Sequence, residues 1–335
     1  MLNNIEITEI KELLSSPKKI TIISHRNPDG DAMGSSLGLL HFLKQLNHEV
    51  VYISPNEYPD FLAWLPETNK VVIFEREYDK ALPILQNSDI IFTLDFNALH
   101  RTGDAMQKTL DTLTNLMIMI DHHQLPDDYA KYTFSDVTYG STCQMVYDFI
   151  NTLGYNDLIN TEIASCLYTG IVTDSGSFRF PKTTSETHIC VADLIEKGAN
   201  NSQIHSALFD NSSYARLQLL GKALQNLKVF PELNASYITL SQEELDSFDY
   251  KKGDTEGIVN YGLSIEGILV TAIFIENKEE GIIKISFRSQ GGFDVNEFAR
   301  NHFQGGGHIN AAGGKSFSSL EETAKQFITI LAKEN

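Results

Sequence analysis

The chain opens on IEITEIKELL (residues 5–14), whose apolar spacing predicts an acidic amphipathic helix. KITIIS (19–24) follows, a short β-branched run that reads as a buried strand. A turn, HRNPDG (25–30), leads into an amphipathic helix over 32–46. Further apolar runs at 49–53, 70–74, 89–94 and 116–120 read as strands. Such strands, joined by crossovers with helical spacing, predict an α/β fold built on a mostly parallel sheet covered by helices on both faces. From 141 to 227 the pattern turns mostly helical, with SFRF (177–180) as a strand-like exception.

A polar stretch at 209–215 precedes a helix-like run over 216–228 and marks the expected domain boundary. Beyond Pro231 the texture changes. Strands are expected at 235–240, 267–275 and 281–287, and helices at 295–301 and 320–333, making a smaller α/β domain. No internal repeat and no low-complexity tract interrupts the pattern.

Composition agrees with two packed domains. The 335 residues are 42% hydrophobic and 21% charged, which excludes a mainly disordered or collagenous chain. The longest apolar runs, such as NLMIMI (115–120), are far shorter than a membrane span, and the first residues lack a signal-peptide pattern. A cytoplasmic protein that does not engage membranes is expected. Cys143, Cys166 and Cys190 are widely spaced, which fits small core residues better than zinc or disulfides.

Charge narrows the partners. Lys+Arg 26 against Asp+Glu 44 leaves −18. A protein that grips long duplex nucleic acid carries a basic face, and this one has no basic tract. Any polyanion it handles should be short and held by a few local cations.

The candidate chemistry sits where open parallel sheets place it, past the carboxyl ends of the strands. His25, Asp29 and Asp31 follow the first strand, Asp95 follows 89–94, and Asp121, His122 and His123 follow 116–120. Asp174 lies in the helical GIVTDSGSF. Singly, each has an ordinary reading. Asp29-Gly30 makes a turn, Asp31 caps a helix, and Asp95 is a loop residue. Asp174 is less easily dismissed, because burying a lone carboxylate is costly. Together they form a carboxylate- and imidazole-rich set suited to hard divalent cations such as Mn²⁺ or Mg²⁺. Four aspartates supply about −4 against +4 from two ions, so an anionic phosphate can still approach. The absence of thiolates argues against structural zinc.

SHRNPDGDAMGSS, LDFNALHRTG, DHHQ, GIVTDSGSFRF and GGGHINAAGG, in that order, resemble the motifs of the DHH phosphoesterases and their associated C-terminal domain, and they span about residues 20–315. The resemblance implies a DHH catalytic domain over 1–210, a linker helix over 211–228 and a substrate-binding domain over 229–335, with the active site in the cleft between them. Lacking the membrane and cyclase modules and the extra nucleic-acid domain of other branches, the chain looks most like the oligoribonuclease and pAp-phosphatase branch.

The resemblance also implies roles. One ion takes His25, Asp29 and Asp95; the second takes Asp31, Asp95, His122 and Asp174, with Asp95 bridging. Mn²⁺ is the expected metal, with Mg²⁺ and Co²⁺ as substitutes. His123 faces the scissile phosphate, and Asp121 orients a histidine. Arg101, Arg288, Ser289, Gly305, Gly306, Gly307 and His308 are expected to contact substrate. GGGHINAAGG reads as a loop whose glycines allow close approach of a backbone to an anion, and Arg288 ends a strand, where it suits bidentate phosphate binding. Arg179 reads equally as a surface residue. Phe178 and Phe180 read as strand packing more readily than base stacking, and Trp64, Phe61 and Tyr58 as loop packing. The expected activity is hydrolysis of short oligoribonucleotides or 3′-phosphoadenosine 5′-phosphate (pAp). Linear or cyclic dinucleotides, or pyrophosphate and polyphosphate, are alternative substrates; intact aspartates argue against a non-catalytic nucleotide binder. A homodimer is among the open oligomeric states.

Overall fold

The first apolar run becomes the middle of a six-stranded, all-parallel sheet in the computed structural model, which describes residues 4–334. The elements in order are α1 (Asn4–Leu13), β1 (Lys19–Ile23), α2 (Gly30–Gln45), β2 (Glu49–Ser54), β3 (Val72–Ile73), α3 (Tyr78–Gln86), β4 (Ile90–Leu94), α4 (Asp104–Leu110), β5 (Leu116–Asp121), β6 (Tyr132–Ser135), α5 (Thr142–Thr152), α6 (Thr161–Asp174), α7 (Ser185–Glu196) and α8 (Asn201–Phe209). The strand order is β3-β2-β1-β4-β5-β6. The chain runs outward from β1 to β3 and then crosses back to β4, so direction reverses between β1 and β4. That reversal opens a crevice at the carboxyl ends of these two strands.

Both faces of the sheet are covered. Ile20, Ile22, Phe92 and Ile118 point into one core with α2, α5 and α6. Ile23, Ile53, Ile91 and Met117 point into the opposite core, with side chains of α3 and α4. The alternation explains why these strands read as continuous apolar runs.

One helix contact decides the site. Glycines 30, 34 and 38 form a stripe along α2 and let it lie almost on the backbone of α6. A Cβ on Gly34 would stand 2.5 Å from Cys166 O, and one on Gly38 would stand 2.7 Å from Leu167 Cδ2. Gly170 answers from α6, where a Cβ would meet Cys143 Sγ and come within 2.7 Å of Asp31 Oδ1. The close crossing brings the start of α2 against the end of α6.

The second unit begins at Ser212. Its elements are α9 (Tyr214–Gln225), β7 (Lys228–Phe230), β8 (Ala235–Leu240), α10 (Gln242–Ser247), α11 (Asn260–Leu263), β9 (Val270–Asn277), β10 (Ile282–Ser289), α12 (Val295–His302), β11 (Gly306–His308), β12 (Ala311–Ser316) and α13 (Leu320–Glu334). The sheet is mixed, in the order β11-β12-β10-β9-β8-β7. Leu219 and Ala223 of α9 are buried with Ile238, Leu240 and Ile273, so this helix packs into the second unit. Phe274, Phe287, Phe298 and Phe327 build the other core.

Four local expectations change. SFRF is not a strand: Ser177 and Phe178 both have positive φ, and Ser175 O accepts the amides of Arg179 and Phe180 at 2.9 and 3.0 Å, winding a tight turn. The strand expected at 70–74 shrinks to Val72–Ile73, because Glu67 is left-handed and Thr68–Lys70 forms a helical turn. Tyr132–Ser135 is an unforeseen edge strand. The GGGHINAAGG segment is a hairpin, β11 and β12, rather than a loop. All three cysteines are buried free thiols. No helix among the described residues is long and apolar enough to cross a membrane.

Candidate metal centre

The turn after β1 is pinned before any ligand is considered. Asn27, left-handed at φ 57°, donates its amide to Asn56 Oδ1 at 2.7 Å, and Asn56 Nδ2 returns a bond to Asn27 Oδ1 at 2.9 Å. Asp29 then caps α2, accepting the amides of Asp31 and Ala32 at 3.0 and 3.1 Å. This orders three side chains at once. His25 Nε2 lies 3.9 Å from Asp29 Oδ1 and 3.3 Å from Asp95 Oδ2.

Asp95 leaves β4 in the left-handed region, at φ 63°. A non-glycine residue there is strained, and the surroundings hold it in place. Its amide donates to Ile120 O at 3.1 Å, and its Oδ1 accepts Thr142 Oγ1 at 2.9 Å. The carboxylate faces His25 through Oδ2 and His122 through Oδ1, the latter at 3.5 Å.

Asp31 is fully buried and accepts the first two amides of α5, from Thr142 at 2.6 Å and Cys143 at 2.9 Å. A helix N-terminus stabilises a carboxylate, so Asp31 is held by α5 while lying in α2. Its Oδ2 is 3.8 Å from His122 Nε2, and Asp174 Oδ2 at the end of α6 is 3.3 Å from the same nitrogen. The other nitrogen of His122, Nδ1, meets Tyr139 O at 3.2 Å, which orients the ring.

Two sets of donor atoms therefore form, His25–Asp29–Asp95 and Asp31–His122–Asp174, each within 4.8 Å of one another. Asp95 touches both. Every residue expected as a metal ligand is in this cluster. The donor set fits two hard divalent cations, with imidazole favouring Mn²⁺ over Mg²⁺.

The electrostatics fit as well. Burial and the nearby Asp95 and Asp29 carboxylates push Asp31 well above the usual carboxylate range, and burial and Asp31 do the same to Asp174. Burial also opposes ionisation of Asp95, but His122 and His25 outweigh it and hold its pKa well below the ordinary value. Burial works against a charged His122, yet Asp95, Asp174 and Asp121 prevail and raise it to about 9. The raised pKa stabilises the metal-free fold below the ordinary histidine pKa, and that contribution is lost as pH climbs through about 9.

A metal must displace the His122 proton. Affinity of the metal-free protein for Mn²⁺ is therefore expected to rise with pH, the His122 proton alone contributing up to about tenfold per unit below pH 9. Calorimetric titrations between about pH 6.5 and about pH 8.5 check this, and a flat profile contradicts it.

His123 stands beside the cluster. Asp121 Oδ2 accepts its amide at 2.8 Å, and Asp121 Oδ1 lies 2.7 Å from Nδ1. Burial and Asp95 push Asp121 up to about 6. The pairing directs Nδ1 to Asp121 and fixes the ring beside the cluster. Arg101, in a helical turn over Leu99–Thr102, is close enough to oppose protonation of His25 and to favour the ionised form of Asp121.

In the second unit, strand register sets Arg288 opposite Ala311, and Ala311 opposite His308. The small Ala311 stands between two potential anion binders in one cross-strand row. Ser289 Oγ donates to Phe293 O at 2.7 Å and accepts Asn310 Nδ2 at 2.9 Å, which ties the end of β10 to the hairpin. The glycines serve close packing here. The Gly305 amide donates to Ala299 O and that of Gly307 to Asn296 Oδ1, while Cβ atoms on them would meet the backbone of Gly313 and Ala311. Gly306 lies between them, paired with Gly313.

Sequence reasoning missed Thr142, Tyr139 and Asn56, which hold the expected ligands. Only the stripe of glycines 30, 34 and 38, at helical spacing, carried a signal for such close packing.

Comparison with known proteins follows the same division. Residues 19–171 match the DHH family, N-terminal domain, and residues 234–334 match the DHHA1 domain. The bifunctional oligoribonuclease and PAP phosphatase NrnA of Thermus thermophilus is 32% identical over 92% of this chain and 86% of its own length. A probable protein of the same description from Streptococcus mutans is 31% identical, over 94% of this chain and 96% of that one. The crystal structure of an exopolyphosphatase-related protein from Bacteroides fragilis is 39% identical and superimposes with a TM-score of 0.93, covering 98% of this chain and 95% of that one.

Proposed function

The chain belongs to the DHH family, as a phosphoesterase with a DHHA1 domain, and on that premise we propose that it hydrolyses short oligoribonucleotides and pAp to mononucleotides, using two divalent ions, Mn²⁺ foremost. The observation that carries the reading is Asp95, whose two oxygens face two separate donor sets. Bound there, two ions would supply the charge that draws in a phosphate and acidifies water between them.

The residues divide the remaining work. His25, Asp29 and Asp95 would hold one ion; Asp31, Asp95, His122 and Asp174 would hold the other. Thr142 and the start of α5 fix Asp95 and Asp31 in position. Asp121 orients His123 through Nδ1, and His123 passes a proton to the leaving oxygen. Arg101 offsets charge beside the reacting phosphate. Arg288 and His308, with Ser289 and Gly305–Gly307 supporting them, anchor a second phosphate of the substrate.

A net charge of −18 without a basic tract supports a preference for short chains. The test is a side-by-side rate comparison with Mn²⁺ on pAp, di- to pentaribonucleotides, pApA, cyclic-di-AMP, pyrophosphate and polyphosphate. Highest kcat/KM on pAp and the shortest RNAs is expected, falling as length grows. Equal or better rates on an RNA of about 30 nucleotides contradict the size preference. Preference for pyrophosphate or polyphosphate would replace the nucleotide reading with the one in the name of the Bacteroides fragilis protein.

A further inference from the structure

Past Asp174 the chain winds into the turn that replaces the expected SFRF strand, and this turn ends at Lys182. Ser175 organises it: its carbonyl accepts the amides of Arg179 and Phe180, and its hydroxyl accepts the amide of Phe178 at 3.0 Å. Arg179 is committed to its own turn, donating Nε to Gly176 O at 2.7 Å. The backbone of Lys182 then rests on Gly140, where a Cβ would come within 3.3 Å of Lys182 O. Gly140 adjoins Tyr139, which orients His122, and it lies two residues before Thr142, which holds Asp95. The strip that aligns His122 and Asp95 is thus also the strip on which Lys182 docks.

The Lys182 side chain is half-buried and makes no ion pair or hydrogen bond among the described residues. It lies in the field of Asp174, Asp121 and Asp136, yet burial outweighs them and lowers its pKa. Holding an ammonium partly out of water without a partner is costly. Two divalent ions in the cluster would add repulsion. With the ions bound, an anion that arrives with the reaction would offset that repulsion.

We propose that Lys182 is a substrate-binding residue, whose ammonium takes a non-bridging oxygen of the phosphate attacked at the His/Asp cluster. The proposal rests on reading that cluster as a phosphoesterase site. An ammonium is a compact donor that suits one phosphate oxygen, and the bond is charge-assisted.

The test compares wild type, Lys182→Gln and Lys182→Arg as full-length, Mn²⁺-loaded proteins. Three quantities are read: kcat and KM on the substrate that wild type prefers, calorimetric affinity for inorganic phosphate, and the thermal midpoint. Lys182→Gln should lose about 10- to 100-fold in kcat/KM and a similar factor in phosphate affinity. Lys182→Arg should recover most of both. The thermal midpoint of Lys182→Gln should equal or exceed that of wild type, because an unpaired half-buried charge is gone. Unchanged kinetics and phosphate affinity in Lys182→Gln overturn the proposal, as does a wild type that binds no phosphate. A lowered midpoint with no rescue by arginine also overturns it, in favour of a structural role. If wild type hydrolyses no phosphate ester but phosphate binding still falls in Lys182→Gln, the role of Lys182 stands and the phosphoesterase reading falls.

Discussion

Asp95→Ala is expected to lower turnover by more than about 10³-fold and to weaken binding of both metal ions. The reason is geometric. Oδ2 of Asp95 faces His25 and Oδ1 faces His122, so one substitution removes a donor from each set. It would also remove the negative charge between two bound cations and leave their repulsion less shielded. His25 and His122 lose the carboxylate that favours their protonated forms in the metal-free protein. Asp174→Ala touches only the second set and should weaken mainly one ion. Metal titration of both variants separates the two patterns. An Asp95→Ala protein that still holds two ions per chain with near-native turnover removes the assignment.

The second large effect concerns specificity. His308→Ala is expected to erase most of the preference for pAp over adenosine 3′-phosphate, a loss of about 10- to 150-fold. The two compounds present the same 3′-phosphate but differ in the 5′-phosphate. Releasing the 3′-phosphate of pAp and removing a 5′-terminal nucleotide from RNA break the same kind of P–O3′ bond, so one geometry can serve both. Arg288 and His308 flank Ala311 in one cross-strand row, and on the proposed reading they anchor the 5′-phosphate. Truncating one removes a charge-assisted hydrogen bond worth about 1.5–3 kcal/mol. Equal slowing of both compounds by His308→Ala assigns His308 to the chemical step or the fold.

How far the sequence reaches can be judged at particular residues. The parallel strands were legible because sheets covered on both faces demand continuous apolar runs, and Ile20–Ile23 and Ile90–Leu94 supply them. The ligand cluster was legible because strand ends converge at one edge, so Asp and His residues far apart in the chain gather there. SFRF misled because its apolar alternation matches a strand, while Ser175 wraps the segment into a turn through bonds that no periodicity reveals. The hairpin at Gly306–Ser316 was hidden for the opposite reason. Four glycines and two alanines give strands with little apolar signal, and their small size is what lets the backbones approach. Thr142 was invisible because a hydroxyl aimed at Asp95 from another element leaves no local pattern.

The central claim is that a buried His/Asp cluster holds two divalent ions and hydrolyses phosphate esters with them. Its most direct test is one titration of chelator-stripped protein with Mn²⁺, following bound metal and phosphate release from pAp together. The account predicts two ions per chain and activity that rises only as the second ion binds. Full phosphate release from the stripped protein, or saturation of activity at a single ion per chain, would contradict it.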